Sequence, residues 1–166
     1  MLGMLVMLFL GGVPVEIEVG SRLELFVDDY LIESMQGLEL RLHSPVEQEE
    51  VFHFDAPWEG VSSCYVSIFK DGDRYRMYYR GSDYPDGANE VTCTAESRDG
   101  IHWSRPNLGL YEHGGSKDNN IVWTGPGAHA FSPFLDTRPN VKPDERYKAV
   151  SPYDGSNRKP LYGYVS

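Results

Sequence analysis

The sequence has few basic residues and few metal-ligating ones, and both shortages exclude classes of function. Lys and Arg number 15 against 25 Asp and Glu, which gives a formal net charge of −10. Nucleic acids and anionic membranes select basic surfaces, so neither is an expected partner. No Cys/His spacing matches a zinc site, and we predict no metal and no cofactor. The charge suits a neutral or cationic ligand.

The sequence contains only two cysteines, Cys64 and Cys93. A disulfide between them is not expected, because Cys64 would open the first strand of a sheet and Cys93 would lie in the third. Strands two apart in a sheet are about 9.5 Å apart, whereas a disulfide needs Cα atoms within roughly 7 Å. We therefore predict two small buried thiols.

Long hydrophobic runs are also missing, apart from the start of the chain. Residues 1–10 are almost wholly apolar, yet ten residues are too few to span a bilayer. The run resembles the apolar region of a secretory signal peptide, although no basic residues precede it. We predict that residues 1–14 form a signal-peptide-like or disordered segment and that the protein is secreted or periplasmic. A hydrophobic edge strand is the alternative.

No stretch has the periodicity of an amphipathic helix, whereas alternating strands and turns are abundant. The 17 glycines and 11 prolines indicate many turns, and 13% of the residues are aromatic. An all-β fold is therefore predicted for residues 15–166. The predicted strands are Leu23 to Ile32, Leu38 to His43, Val61 to Phe69, Arg74 to Arg80, Glu90 to Ser97, a short strand from Trp103, Phe131 to Leu135, Arg146 to Ser151, and Leu161 to Ser166.

An internal repeat near 70 residues is the most informative pattern. The segment Ser97 to Trp103 has the form Ser-x-Asp-Gly-x-x-Trp, which predicts a hairpin turn covered by the Trp ring. Ser166 ends a predicted strand that is equivalent to the strand before Ser97. Repeated short strands at this period suggest propeller blades, and a closed propeller needs about four or more. We expect an incomplete propeller: about two blades and an N-terminal strand region, with open sheet edges that favour self-association.

Four segments carry a resemblance to a known group of enzymes. They are Phe54 to Glu59, Tyr75 to Tyr79, Ser97 to Trp103, and Phe131 to Asp136. Together they resemble the five-bladed β-propellers of glycoside hydrolase families 32 and 43 and related furanosidase-like proteins. The resemblance implies a partial five-bladed propeller that acts on a polysaccharide or oligosaccharide.

The resemblance also implies catalytic carboxylates. Such enzymes place a base or nucleophile before the first inner strand, where Asp55 matches best and Glu59 is second. They place another Asp at the next blade, where Asp136 is the candidate although Ser132 stands before Pro133 in place of the family's Asp. Glycosidic cleavage needs one carboxylate to attack or activate water and one acid to protonate the leaving oxygen. No residue fits the general acid.

Four residues are candidates for binding the carbohydrate. Trp58 is predicted to stack on a sugar face, or else to pack over a blade edge. His129, Ser132 and Arg80 are candidate hydrogen-bonding groups near the lead-ins to the inner strands. Arg80 could instead form a minor surface pair with Asp83.

On the sequence alone, we predict a glycoside hydrolase first, and two alternatives stay open: a non-catalytic carbohydrate-binding propeller and a structural or protein-binding propeller. Asp55 and Glu59 at one lead-in favour a glycoside hydrolase. Ser132 in place of an Asp favours a non-catalytic carbohydrate-binding propeller.

Overall fold

The computed structural model describes residues 17–83, 90–152 and 161–166, so the signal-peptide-like prediction for residues 1–14 lies outside the described part. The chain divides into two compact units, residues 1–47 and residues 48–166. In the first unit, the described residues 17–47 form bends and turns but no strand. None of the helices in the described ranges is long and apolar enough to cross a membrane.

The strands predicted at Leu23 to Ile32 and Leu38 to His43 are therefore wrong. Their alternating apolar residues are solvent-exposed, with Leu23 and Leu42 almost fully so. A period-two segment gains stability only when a second strand pairs with it and a core covers its apolar face. Neither condition is met in the described part of this unit.

The second unit contains two antiparallel sheets and only single-turn 3-10 helices, which confirms the all-β prediction for its described residues. The first sheet contains β1 (Cys64–Asp71), β2 (Arg74–Ser82), β3 (Glu90–Ser97), β4 (Trp103–Ser104) and β5 (Ile121–Thr124). The second contains β6 (Ser132–Leu135), β7 (Tyr147–Pro152) and β8 (Leu161–Val165). The 3-10 helices are Ala128–Ala130 and Pro143–Glu145.

The first sheet has the order β1-β2-β3-β4, with β5 paired to the other half of β3, and the second has the order β6-β7-β8. Neither sheet closes on itself. The antiparallel pairing of β1, β2 and β3 is repeated by β6, β7 and β8. Tyr75 pairs with Ser97 in the first sheet, while Tyr147 and Ser166 exchange two backbone hydrogen bonds of 2.9 Å in the second. This equivalence is the one that the spacing of the sequence predicts.

The core of the first sheet is small and follows the strand alternation. Met77 and Tyr79 of β2 face Cys93 and Ala95 of β3, and Ile121 of β5 completes the buried cluster. Partly buried aromatic side chains then cover it: Phe52, Phe54, Trp58, Trp103 and Tyr111. Residues from the segment before β1 thus supply much of the cover.

The Ser-x-Asp-Gly-x-x-Trp segment forms the turn between β3 and β4. Ser97 Oγ accepts from the backbone N–H of Asp99 (3.2 Å) and Gly100 (2.9 Å), and Asp99 Oδ1 accepts from His102 N (2.8 Å). Trp103 Nε1 donates to Gly100 O at 3.0 Å. The side chains of the motif are used within the turn itself, so the motif is architectural.

Both cysteines are free, which confirms that no disulfide links them. Cys93 is buried in the core as predicted, whereas Cys64 is only half-buried because it opens β1 at the end of the sheet.

Candidate functional site

Several polar side chains meet at one end of the first sheet. Cys64 at the start of β1 pairs with Arg80 near the end of β2, and Ser82 at that end pairs with Glu90 at the start of β3. His129, from the 3-10 helix before β6, reaches the same place. We call the six residues at this end the Arg80 cluster: Ser62, Cys64, Tyr65, Arg80, Glu90 and His129.

Arg80 is the centre of the cluster, with only 8% of its side chain exposed. Its Nη2 donates to Ser62 O and Ser62 Oγ (both 3.2 Å) and to Cys64 Sγ (3.0 Å). Its Nη1 lies 3.4 Å from Glu90 Oε1 and 3.1 Å from His129 Nδ1. The Nε atom is buried and has no hydrogen-bond partner among the residues that the structure describes. Because a buried guanidinium must be compensated, these contacts fix the positions of all their partners.

His129 and Glu90 form a second link. His129 Nδ1 lies 2.8 Å from Glu90 Oε1. Since a carboxylate only accepts hydrogen bonds, the imidazole donates through Nδ1, and Nε2 of the neutral ring accepts from Arg80 Nη1 at 3.3 Å. The pair is thus held against Arg80 through both the imidazole and the carboxylate.

Tyr65 gives the cluster an exposed aromatic ring. The pairing of β1 with β2 shifts between Cys64 and Ser67, so β1 carries one extra residue there, and Tyr65 has a φ of 55°. A bulky residue in the left-handed region costs about 1–3 kcal/mol, and such strain is concentrated at functional sites. The ring centroid lies 4.8 Å from Arg80 Cζ and 5.2 Å from the His129 ring, and the residue is 51% exposed.

A cleft of about 530 Å³ adjoins the cluster through Glu90. Its other walls include Trp58, Asp83, Glu112 and His113. The indole Nε1 of Trp58 donates to Asn120 Oδ1 at 2.6 Å, which fixes the ring. Three carboxylates around one aromatic wall suit a ligand rich in hydroxyl or amino donors.

Glu59, a predicted catalytic residue, is completely buried. It accepts from Tyr79 Oη (2.5 Å), from Arg105 Nε (2.8 Å) and Nη2 (2.9 Å), and from Ala56 N (2.9 Å). Burial first, and then the Glu59 hydrogen bond, raises the pKa of the Tyr79 hydroxyl far above its ordinary value. This arrangement uses the acceptor sites of Glu59 to hold the segment before β1 against the sheet.

Asp55, the other predicted carboxylate of this segment, has a side chain that is 74% exposed. Arg105 Nη2 donates to Asp55 Oδ1 at 3.0 Å and to Glu59 Oε2 at 2.9 Å, so the two carboxylates share one guanidinium nitrogen. Asp55 is the member of the pair that faces solvent.

Asp136 lies beyond the end of β6, whereas His129 and Ser132 lie at its start. Asp136 is buried and accepts from Arg138 Nη2 (2.6 Å) and from Lys148 Nζ. The hydrogen bonds from Arg138 and then Lys148 hold the pKa of its carboxyl well below the usual range. The structure thus places Asp136 at the opposite end of the strand from His129.

The first sheet contains an equivalent of this pair. Asp71 closes β1 and accepts from Arg76 Nε on β2 at 2.7 Å. In the registers of the two hairpins, Arg76 pairs with Phe69 and Lys148 pairs with Phe134. A carboxylate at the end of the first strand and a cation on the second are therefore part of the repeat, which favours a structural role for Asp136.

The structure brings together Arg80 and His129, two of the four predicted binding residues. Trp58 lines the neighbouring cleft, and Ser132 Oγ donates to Ala130 O at 3.3 Å outside the cluster. Sequence reasoning missed Tyr65 and Glu90. The position of Glu90 could have been inferred from the pairing of strand ends at one end of the sheet. No local sequence pattern indicates the bulge at Tyr65.

Within the described ranges, no group of three or more His, Cys, Asp or Glu side chains is placed to hold a metal ion. Comparison with known proteins adds no relative: no family model, no curated protein and no solved structure matches the chain.

Proposed function

We propose that the protein binds carbohydrate at the Arg80 cluster and the adjoining cleft. The observation that carries this proposal is the exposed ring of Tyr65, held over Arg80 and beside the Glu90–His129 pair. A sugar ring has an apolar face of C–H groups and a rim of hydroxyls. An aromatic platform bordered by fixed donors and acceptors recognises both.

The net charge of the chain limits the classes of carbohydrate that we propose as ligands. The formal net charge is −10, and Asp83, Glu90 and Glu112 lie on the cleft. Carboxylates accept hydrogen bonds from hydroxyl and ammonium groups but repel sugar acids. The proposed ligands are therefore neutral or amino sugars in oligosaccharides, recognised outside the cell.

We propose that the two sheets are blades of a five-bladed propeller. Each begins with a strand preceded by a polar lead-in, and the first strands, β1 and β6, lie in contact. The first strand of each propeller blade lines the central channel, and the lead-ins gather at one of its mouths. His129 and the start of β1 would then face that mouth together.

Glycoside hydrolysis is the second candidate, and Asp55 is the observation that favours it. Its carboxylate is exposed in the lead-in to β1, with Arg105 as its partner. We expect Asp55→Asn to lower hydrolysis of a neutral oligosaccharide by roughly 10²–10⁴-fold, because an amide cannot act as a base. Released reducing ends measure the rate. Asp73→Asn, which changes another exposed carboxylate, is the matched control. Equal rates for both variants would remove Asp55 from the chemistry.

Carbohydrate binding is tested by substitution of Tyr65, the aromatic platform. Isothermal titration with neutral and amino-sugar oligosaccharides should give at least a roughly tenfold weaker Kd for Tyr65→Ala, since about 1.4 kcal/mol of apolar contact is lost. Tyr65→Phe keeps the ring and should bind within about threefold of the parent chain. If Tyr65→Ala binds as the parent does, the platform lies elsewhere.

A further inference from the structure

Asn120 is a buried amide that contacts the aromatic wall of the cleft, and only 1% of the residue is exposed. Its Oδ1 accepts from Trp58 Nε1 at 2.6 Å, and its Nδ2 donates to Tyr79 Oη (2.8 Å) and to Thr94 O (2.6 Å). A flipped amide would set two donors against each other at Trp58 and two acceptors at Thr94. The side chain therefore has one satisfied orientation, and this orientation gives the indole one position.

The hydrogen bonds continue from Asn120 to a buried charge. Tyr79 Oη donates to Glu59 Oε1 at 2.5 Å, and Glu59 also accepts from Arg105 Nε at 2.8 Å. The N–H and O–H groups of Trp58, Asn120 and Tyr79 thus all point along the series towards the carboxylate. Hydrogen bonds in such a series polarise and strengthen one another. The Trp58 ring is consequently held more firmly than by packing alone.

Trp58 is half-buried: it packs against the core of the first sheet and also lines the cleft. The ring of His113 lies edge-on to it, with centroids 6.4 Å apart. Glu90 lines the same cleft and belongs to the Arg80 cluster, so the cleft is continuous with the surface around Tyr65. A fixed aromatic ring beside hydrogen-bond acceptors suits a sugar ring, and a ring that is already ordered loses little entropy on binding.

We propose that Trp58 forms a second sugar subsite and that Asn120 is the positioning residue that fixes its ring. This inference rests on the proposed function, in which Tyr65 binds one sugar unit; Trp58 then binds another unit of the same chain. Two contacts on one ligand act at a high effective concentration, so affinity rises with chain length. The ligand class is therefore an oligosaccharide of two or more units, and a monosaccharide binds weakly at Tyr65 alone.

Isothermal titration with a monosaccharide and with oligosaccharides of two to six units tests the subsite. The parent chain should bind the longest oligosaccharides at least about 100-fold more tightly than the monosaccharide. Trp58→Ala should lose at least about tenfold of this gain, while its Kd for the monosaccharide stays within about twofold of the parent value. An unchanged gain in Trp58→Ala overturns the subsite.

The same titrations test the positioning role. Asn120→Ala should lose about three- to tenfold in affinity for the long oligosaccharides alone, because the released indole must be ordered on binding. Thr94→Val is the matched control, since it removes another buried hydrogen bond of this core, from Thr94 Oγ1 to Met77 O at 2.9 Å, without touching the indole. It should keep the chain-length dependence of the parent. Equal weakening of the monosaccharide and the oligosaccharides in Asn120→Ala overturns the positioning role.

A measurement without ligand separates the position of the ring from sugar binding. By NMR, the Trp58 indole proton should exchange with solvent at least about tenfold faster in Asn120→Ala than in the parent chain. The Trp103 indole, which donates to Gly100 O at 3.0 Å, should keep its rate. Trp58→Phe identifies the resonance by its loss. Equal Trp58 rates in the two chains, or the same acceleration at Trp103, overturns the positioning role.

Further outcomes distinguish the claims from one another. If Asn120→Ala does not fold, Trp58→Phe replaces it, because the variant keeps an aromatic ring without the N–H donor and should lose the same three- to tenfold for long oligosaccharides, or about 3- to 10-fold in Kd. An unchanged Kd in that variant overturns the positioning role. If the exchange rates are as expected but the parent chain binds no carbohydrate, the proposed function and the subsite fail together, and the positioning of Trp58 by Asn120 stands.

Discussion

Glu59 is a carboxylate that the fold encloses completely and surrounds with Arg105, Tyr79 and the backbone of Ala56. A buried charge that loses its opposite partner is expensive, and breaking such a pair costs about 3–5 kcal/mol. The residue is therefore a structural anchor for the segment before β1.

We expect Glu59→Gln to lower the free energy of unfolding by about 1–3 kcal/mol, because an amide cannot accept all the hydrogen bonds that Arg105, Tyr79 and Ala56 N donate to the buried carboxylate. Urea unfolding followed by tryptophan fluorescence measures this change. Glu50→Gln alters an exposed carboxylate near the same segment and should shift the midpoint very little. An unchanged midpoint for Glu59→Gln would contradict the anchoring role.

The site residues differ in how far the sequence predicts them. The proximity of Arg80 and His129 was predictable because polar groups at the ends of neighbouring strands gather at one end of a sheet. Tyr65 was not, because the bulge depends on how β1 pairs with β2 and not on local composition. Asp55 is exposed and Glu59 is buried. The burial of Glu59 depends on Tyr79 and Arg105, which lie 20 and 46 residues later in the chain.

At the scale of elements, an ion pair between Asp71 and Arg76 joins the two strands of the β1–β2 hairpin. Asp71 accepts from Arg76 Nε at 2.7 Å and from the hydroxyl of Tyr147 on β7 at 3.0 Å. The Arg76 hydrogen bond, followed by the weaker Tyr147 one, lowers the pKa of Asp71 below its ordinary 3.8. This carboxylate ties one hairpin to the next.

The lowered pKa of Asp71 makes the free energy of unfolding depend on pH. A carboxyl whose folded pKa lies below its unfolded pKa stabilises the fold above the unfolded value of 3.8, and that contribution is lost as the pH falls towards the folded value. We expect the unfolding free energy to fall below about pH 4, and to fall less steeply in Asp71→Asn. Asp73→Asn in the same hairpin should keep the parent slope. Parallel slopes for the parent and Asp71→Asn in acid denaturation would refute the assignment.

Strands were predictable where alternation, Asp-Gly turns and aromatic residues agreed, as in β2 and β3. The bounds of β3 are the predicted ones, and β1, β6 and β7 are displaced by one to three residues at their ends. The same alternation from Leu23 to Ile32 formed no strand. Alternation of apolar and polar residues indicates only that a segment can form a half-buried strand. The segment becomes a strand only when a second strand pairs with it.

At the scale of the whole molecule, the edge of the second sheet is apolar. Among the described strands, β8 pairs with β7 alone, and Leu161 and Val165 are largely exposed. An exposed apolar edge strand is a template for pairing with another chain. We propose that the 166-residue chain self-associates through this edge.

Sedimentation velocity should therefore show a sedimentation coefficient that rises with protein concentration. Leu161→Lys places a charge on the edge and should return the chain to the monomer, as charges do on natural edge strands. Leu110→Lys alters an exposed apolar loop residue and should leave association unchanged. A parent chain that is monomeric at every concentration tested would exclude the edge as an interface.

We expect the contact between Arg105 and Glu59 to form late in the folding of the second unit. Arg105 follows β4, so its guanidinium reaches Glu59 only after a loop of more than 40 residues, including β1 to β4, has closed. Glu59 is costly to bury before that partner arrives, whereas local hairpins close without such a long loop. The segment before β1 should dock last, so that weakening of this contact accelerates unfolding while the refolding rate changes little.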